Sequence, residues 1–331
     1  MAVPISVGVV GVGHLGSLHA KMYAEISSAK LVGLYDVDYE RAQKVAAQFD
    51  GRAFTSLDDL LKSVRAVSIA TPTSTHYSIA KKAIEQDLHV FIEKPITETA
   101  EEAQSLLESA VLRKVKIQVG HIERFNPALM ALEKYKLEPM FIESHRMAQF
   151  NPRGTDVAVV LDLMIHDIDI IASLVRSPVA RIDANGIGVV TDSIDIANAR
   201  IQFENGCVAN VTASRISQRK MRKMRLFQRD AYISVDFSDG VAEVFRLVNQ
   251  EEADAPKTML LGNIDSGSRK LKIVYEQPEV KEINALKYEL ETFLRVIESN
   301  TEPPVTAADG KRALEMAHAI MERIREQKFP A

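Results

Sequence analysis

Gly11-Val12-Gly13-His14-Leu15-Gly16 constrains this chain more than any other stretch, because of what flanks it. Residues 5–10 form a short β-branched run that reads as a strand, and residues 18–26 carry apolar positions at helical spacing. A Gly-x-Gly-x-x-Gly motif alone is a weak signal; set between strand and helix it specifies a tight turn built for a dinucleotide. The first glycine permits the turn, the second lets backbone approach a diphosphate, and the third lets helix and strand pack closely. The diphosphate would rest on the helix N-terminus, where the N–H groups of the first turn, at His14, Leu15 and Gly16, favour anions.

A second strand, residues 31–35, runs into Asp36, 20 residues beyond Gly16. That is where a carboxylate can accept hydrogen bonds from an adenosine ribose. Asp36 would also repel a 2′-phosphate, and Arg41 falls in the next helix, so NAD is expected over NADP. The alternation then continues, with helices at 40–49, 57–62, 77–86 and 100–112 and strands at 66–70, 90–92 and 116–119. Such alternation predicts a parallel sheet with helices on both faces, over a first domain at 1–121.

Two of these strands end in chemistry. Residues 66–70 run into Thr71-Pro72-Thr73-Ser74-Thr75-His76. Val90-Phe91-Ile92 runs into Glu93-Lys94-Pro95. Ligands of open parallel sheets sit at the carboxyl ends of strands. Pro95 restricts Lys94 to extended backbone, and a half-buried Lys is useful because its pKa moves easily. Taken alone, Glu-Lys-Pro could equally be a surface loop entrance.

Beyond Gly120 the pattern changes. Gly120-His121-Ile122-Glu123-Arg124-Phe125-Asn126-Pro127 leads into a helix expected at 128–135. Strands follow at 140–149 and, after one helix, at 182–190, 194–203, 207–214, 224–228 and 231–237, with turn signals such as Glu204-Asn205-Gly206 between them. This predicts a second, α+β domain at 122–331 with an open, mostly antiparallel sheet. Residues 250–256 read as a polar loop. Two closing helices present Leu286, Leu290, Phe293, Leu294 and Ile297, then Ala313, Met316, Ala317, Ile320 and Ile324, on their apolar faces.

The helix expected at 156–169 places Asp162, His166 and Asp169 at i, i+4 and i+7, one face of an otherwise apolar segment. A buried polar stripe is costly unless it is used or paired. A carboxylate one turn from an imidazole can orient it and stabilise its cationic form, which is a general acid/base arrangement. Arg215, Arg219, Lys220, Arg222, Lys223, Arg225 and Arg229 form a basic run. It reads as an anion-binding patch or as the solvated surface of a strand, and no aromatic interleaving supports nucleic acid.

Composition sets the remaining bounds. The net charge of −4 over 331 residues argues against nucleic acid or an anionic membrane as partner. The single cysteine, Cys207, permits no internal disulfide, and no signal peptide or membrane span is read, so a cytoplasmic protein is expected. No metal-ligand spacing is present.

The ordered set Gly11-x-Gly13-x-x-Gly16 with His19, Ala70-Thr71-Pro72 with His76, Glu93-Lys94-Pro95, Gly120-His121, and Asp162 with His166 resembles the family of glucose–fructose oxidoreductase, inositol dehydrogenase and the rhizopine-catabolism oxidoreductases. The resemblance covers essentially the whole chain. It implies an N-terminal Rossmann domain, a C-terminal open-sheet domain, sugar-like substrates and a nicotinamide cofactor held by Gly11, Gly13, His14, Leu15, Gly16, Asp36, Thr71, Pro72, His76, Glu93 and Lys94. It also implies that Lys94, Asp162 and His166 are the catalytic residues.

Arg124-Phe125-Asn126-Pro127 and residues 160–167 are similar to the nucleotide-sugar 3-dehydrogenase branch, which acts on UDP-N-acetylglucosamine or its uronic acid. Arg124 would then suit a phosphate or carboxylate and Asn126 a sugar hydroxyl or amide, although Arg124 could also pair with Glu123 or Asp156. Simple-sugar or inositol oxidation is the alternative within enzymes. A non-catalytic NAD-binding regulator would be expected to lack one of Lys94, Asp162 and His166. A homodimer or homotetramer through a free, β-branched face of the second sheet is expected.

Overall fold

The computed structural model describes residues 3–151, 157–249, 259–266 and 269–327. The expected polar loop at 250–256 and the start of the expected helix at Asp156 lie outside these residues. The chain forms two units, residues 1–125 with 284–315 and residues 126–283 with 316–331.

In the first unit, β1 (Ile5–Val10), β2 (Ala29–Tyr35), β3 (Arg52–Ala53), β4 (Ala66–Ile69), β5 (His89–Glu93) and β6 (Ile117–Gly120) form a parallel sheet. Among the described residues its order is β3-β2-β1-β4-β5-β6. Strand order reverses between β1 and β4, and the crevice at that reversal is where ligands of doubly wound sheets bind.

The helices of this unit are α1 (His14–Glu25), α2 (Tyr39–Ala46), α3 (Leu57–Leu61), α4 (His76–Glu85) and α5 (Ala100–Arg113). Alternate residues of β1 serve opposite faces, as the pleat requires. Val7 and Val9 pack with Ala20 and Tyr23 of α1, while a Cβ at Gly8 would press on Leu60 of α3 at 2.9 Å. A helix from far along the chain, α8 (Ala285–Ser299), completes the first of these cores with Leu290, Phe293 and Leu294. Each of those three is fully buried, and each such burial contributes about 1.5–3 kcal/mol. The expected apolar face of this helix is thus part of the dinucleotide-type core.

The second unit carries a mostly antiparallel sheet. Its strands are β7 (Phe141–Met147), β8 (Val179–Ile187), β9 (Ile196–Phe203), β10 (Val208–Ser214), β11 (Met221–Phe227), β12 (Ala231–Asp236), β13 (Val241–Val248), β14 (Met259–Ser266) and β15 (Arg269–Glu276). Among the described residues the order is β14-β15-β13-β12-β11-β7-β10-β9-β8, with β7 and β10 parallel and the other neighbours antiparallel.

The strands β13, β14 and β15 were not among the expected ones. The helix expected at 128–135 is a single turn, α6 (Pro127–Met130), capped by Asn126, whose Oδ1 accepts from Ala128 N at 3.1 Å.

One face of this sheet is buried and aliphatic, with Ala197, Ala199, Ile201, Ala209, Val211 and Ala213. The opposite face corrects the β-branched expectation: it is aromatic and charged. Phe141, Phe227, Tyr232, Phe245 and Tyr275 form a row across five strands with ring centroids 5.0–5.8 Å apart. Beside the row, Lys223 pairs with Asp236 at 3.0 Å and Arg225 with Glu143 at 3.4 Å. Lys223 and Arg225 of the basic run therefore belong to the solvated face of an interior strand, β11.

A helical segment begins at Val159 and passes through a π-helical turn, Val160–Met164, into α7 (Ile165–Val175). The expected regular helix is corrected here, since an apolar pattern alone does not distinguish a π turn from an α turn. The last helix, α9 (Ala307–Glu326), closes the described chain.

Candidate functional site

The glycine turn stands at the carboxyl end of β1. Gly11 has φ +81°, and a Cβ there would lie 2.6 Å from Thr71 Cγ2 and 2.8 Å from the Ala70 carbonyl. At Gly16 a Cβ would lie 1.8 Å from the Gly11 carbonyl oxygen, so no side chain fits. Gly13 faces open space. The N-terminus of α1 has no side-chain cap and no acidic residue in its first turn, which leaves its backbone donors for an external anion. Asp36 is buried; its Oδ2 accepts from Val12 N at 2.8 Å and its Oδ1 from Asp38 N at 2.9 Å. Arg41 Nη1 stands 3.5 Å from Asp36, nearer than its place in the next helix suggested. These features fit a dinucleotide: an open glycine cradle, an uncapped helix end, and a carboxylate fixed beside both.

The ends of β4 and β5 are tied to this turn by histidines. His19, fully buried on α1, places Nδ1 2.8 Å from Ser68 Oγ and Nε2 2.9 Å from Glu93 Oε1. Burial alone would raise the Glu93 carboxyl. The hydrogen bond and charge of His19, with the charge and amide of Lys94, outweigh that and hold it below the ordinary carboxylate range. His76, also buried, spans the Thr71 carbonyl at 2.9 Å and the Pro95 carbonyl at 2.8 Å. It links the two turns, while Thr71 and Pro72 face outward more than it does. Lys94 is half-buried at the end of β5. The first unit thus gathers Gly11 to Gly16, Asp36, Thr71, Glu93 and Lys94 at one end of its sheet.

Arg124 lies half-buried in the short turn Ile122–Phe125. Besides capping α6, Asn126 donates from Nδ2 to the Phe237 carbonyl at 3.2 Å, so both ends of its amide hold local structure.

In the second unit the expected stripe divides in two. Asp162, in the π turn, and His166, in the first turn of α7, are half-buried, whereas Asp169 is buried. Asp162 and His166 thus share an intermediate burial that Asp169 does not. Sequence reasoning missed Asp167, which is buried against Arg146. It also missed Asp195, whose carboxylate accepts from the amides of Val189, Val190 and Thr191 at 2.7–2.9 Å. Burial would raise this carboxyl, and the three amides with the Thr191 hydroxyl hold it well below the usual range. Arg215, the first of the basic run, is buried with Nε 3.9 Å from Asp195 and donates to the Val157 carbonyl, ahead of the π turn.

Burial pushes the Cys207 thiol up to about 11, so it offers no thiolate near neutral pH. Among the described residues no cluster of three or more His, Cys, Asp or Glu could hold a metal ion. No helix among them is long and apolar enough to cross a membrane.

A parallel sheet of this order, with an open glycine cradle and a lysine at a neighbouring strand end, defines an NAD-dependent oxidoreductase. Residues 5–121 match an oxidoreductase family with an NAD-binding Rossmann fold, and residues 136–242 match the GFO/IDH/MocA C-terminal domain. This chain belongs to the GFO/IDH/MocA family. UDP-N-acetylglucosamine 3-dehydrogenase of Acidithiobacillus ferrooxidans is 38% identical over 323 residues, covering 97% of each chain. A solved structure of that enzyme superposes with a TM-score of 0.86 at 36% identity, over 98% of both chains. Inositol 2-dehydrogenase of Rubrobacter xylanophilus is 31% identical over 55% of this chain and 56% of its own. Levoglucosan dehydrogenase in complex with NADH and L-sorbose shares the fold, with a TM-score of 0.82 at 19% identity over 98% of both chains.

Proposed function

We propose that this protein oxidises the 3-hydroxyl of a UDP-N-acetylated hexose to the 3-keto sugar. The observation that carries the reading is the 38% identity to UDP-N-acetylglucosamine 3-dehydrogenase over 97% of both chains.

When bound, NAD supplies the hydride acceptor. Gly11, Gly13 and Gly16 with the first turn of α1 hold its diphosphate, and Asp36 its adenosine ribose. His166 takes the proton of the 3-hydroxyl as the carbon gives up its hydride. Asp162 orients the His166 ring and stabilises the imidazolium that forms. Lys94 donates a hydrogen bond to the same oxygen, favouring the alkoxide-like transition state and then the carbonyl. Arg124 offers a planar donor fork to a diphosphate or a uronate carboxylate. Asn126, held by the Phe237 carbonyl and α6, shapes the turn in which Arg124 sits.

The protein works in the cytoplasm as a homo-oligomer, with the aromatic row of the second sheet as the interface. Such a row is the kind of surface that aromatic-rich interface cores use.

The test is a substrate panel with NAD: UDP-N-acetylglucosamine, its uronic acid, free N-acetylglucosamine, glucose and myo-inositol. Turnover is expected with the UDP-sugars. Turnover of free sugars or inositol and of neither UDP-sugar would refute the reading.

A further inference from the structure

The helix that carries His166 is anchored by a pair that the chemistry above does not use. Arg146, on β7, donates from Nε to Asp167 Oδ2 at 2.8 Å and from Nη2 to Asp167 Oδ1 at 2.9 Å. The two side chains are 3% and 2% exposed, and the guanidinium lies 5.8 Å from the centre of the Phe237 ring. Asp167 is the residue directly after His166.

We propose that the Arg146–Asp167 pair is a positioning device for His166, setting the rotation of α7 about its axis and so the direction of the imidazole. The proposal rests on the reading of His166 as the general base.

Besides Asp169, the other buried residues of α7 are apolar: Ile165, Ile168, Ile170, Ile171, Ala172 and Val175. Apolar contacts are non-directional, so a face of isoleucines resists separation more than a small turn or slide. Two parallel N–H···O bonds from a planar fork fix distance, plane and direction together. Neighbouring residues on an α-helix differ by a set rotation of about 100°, so fixing Asp167 fixes His166.

Two further features make such a fix useful. The helix enters α7 through the π turn Val160–Met164, which changes the angular relation to the residues before it. Arg146 stands on an interior strand, paired with Ala213 of β10 on one side and Arg222 of β11 on the other, so its backbone is held by the sheet. Stability alone does not call for the pair, because apolar replacements of buried ion pairs are often neutral or stabilising.

That last point supplies the experiment. The double variant Arg146→Met/Asp167→Leu keeps the volume and removes the direction. It is compared with wild type, Asp167→Asn and His166→Asn in the full-length, NAD-loaded protein. Melting temperature, NAD affinity, and kcat and KM for UDP-N-acetylglucosamine are measured. The His166 ring resonance is followed by NMR, with His166→Asn assigning it among the 8 histidines.

The double variant is expected to melt near wild type and bind NAD normally, with kcat reduced about 10–100-fold and the His166 resonance shifted or split. A folded double variant with kcat within twofold of wild type and an unshifted resonance overturns the proposal. If it does not fold, Asp167→Asn decides by the same two readouts. If His166→Asn itself turns over normally, the reading of the base fails. The resonance then decides the positioning proposal alone: unshifted in the folded variant overturns it, and shifted or split upholds it.

Discussion

Replacing His19 by alanine would show how the ends of β4 and β5 are held. The wild-type ring is fully buried and bridges Ser68 at 2.8 Å and Glu93 at 2.9 Å. Its removal leaves the Glu93 carboxylate, whose side chain is 12% exposed, without its imidazole partner. The Lys94 amide at 3.3 Å remains. Removing one partner of a buried pair costs about 3–5 kcal/mol, and the small residual exposure of Glu93 favours the lower end.

At about 2–4 °C per kcal/mol for a unit of this size, the melting temperature of the cofactor-free protein should fall by roughly 6–20 °C at pH 7. The pH dependence carries a sign. In wild type the folded Glu93 pKa is depressed, so its contribution is present above the ordinary Glu pKa of about 4.3 and is lost as pH falls through the folded value. In His19→Ala the buried carboxylate is relieved by protonation. The gap between the two proteins should therefore narrow as pH falls from 7 towards 4. Calorimetry at a series of pH values measures both effects. A loss below about 1 kcal/mol, the range of a surface pair, or a gap that does not change with pH would refute the reasoning.

Three other outcomes are expected. Asp36→Ala should weaken NAD binding and narrow the preference over NADP, measured by titration of both cofactors; wild-type protein that binds NADP more tightly would contradict the role given to Asp36. Lys94→Met and His166→Asn should keep the fold and NAD binding while lowering kcat about 10²–10⁴-fold, the usual range for loss of acid/base catalysis. Near-normal kcat in either removes it from the mechanism. Gly16→Ala puts a Cβ 1.8 Å from the Gly11 carbonyl oxygen, so it should abolish measurable NAD binding by calorimetric titration, and affinity within twofold of wild type would show that the turn yields.

What could be read from the chain without its structure is what neighbouring residues decide among themselves. β1, the glycine turn and α1 are contiguous, so strand period, turn requirement and helix period all speak within residues 5–25. Asp36 was legible because a strand end places it, and its amide partners follow from that placement. Lys94 was legible because an apolar strand delivers it to a proline. The four-residue spacing of Asp162 and His166 was legible, but not that a π turn lies between Asp162 and the helix carrying His166.

Tertiary structure decided the features that depend on residues far apart in sequence. Glu93 finds His19 across 74 residues and Asp167 finds Arg146 across 21, and no period in the sequence records such a pairing. Asp167 and Asp169 look alike in the string His166-Asp167-Ile168-Asp169. Only the sheet beneath α7 shows that Arg146 meets Asp167. The helix α8 reads as an ordinary amphipathic segment, yet its apolar face closes the core under β1. An apolar face states that it must be buried without stating against what. Hydrophobic burial is non-directional, so patterning selects the elements, while the few directional contacts between distant residues select how their functional groups are aimed.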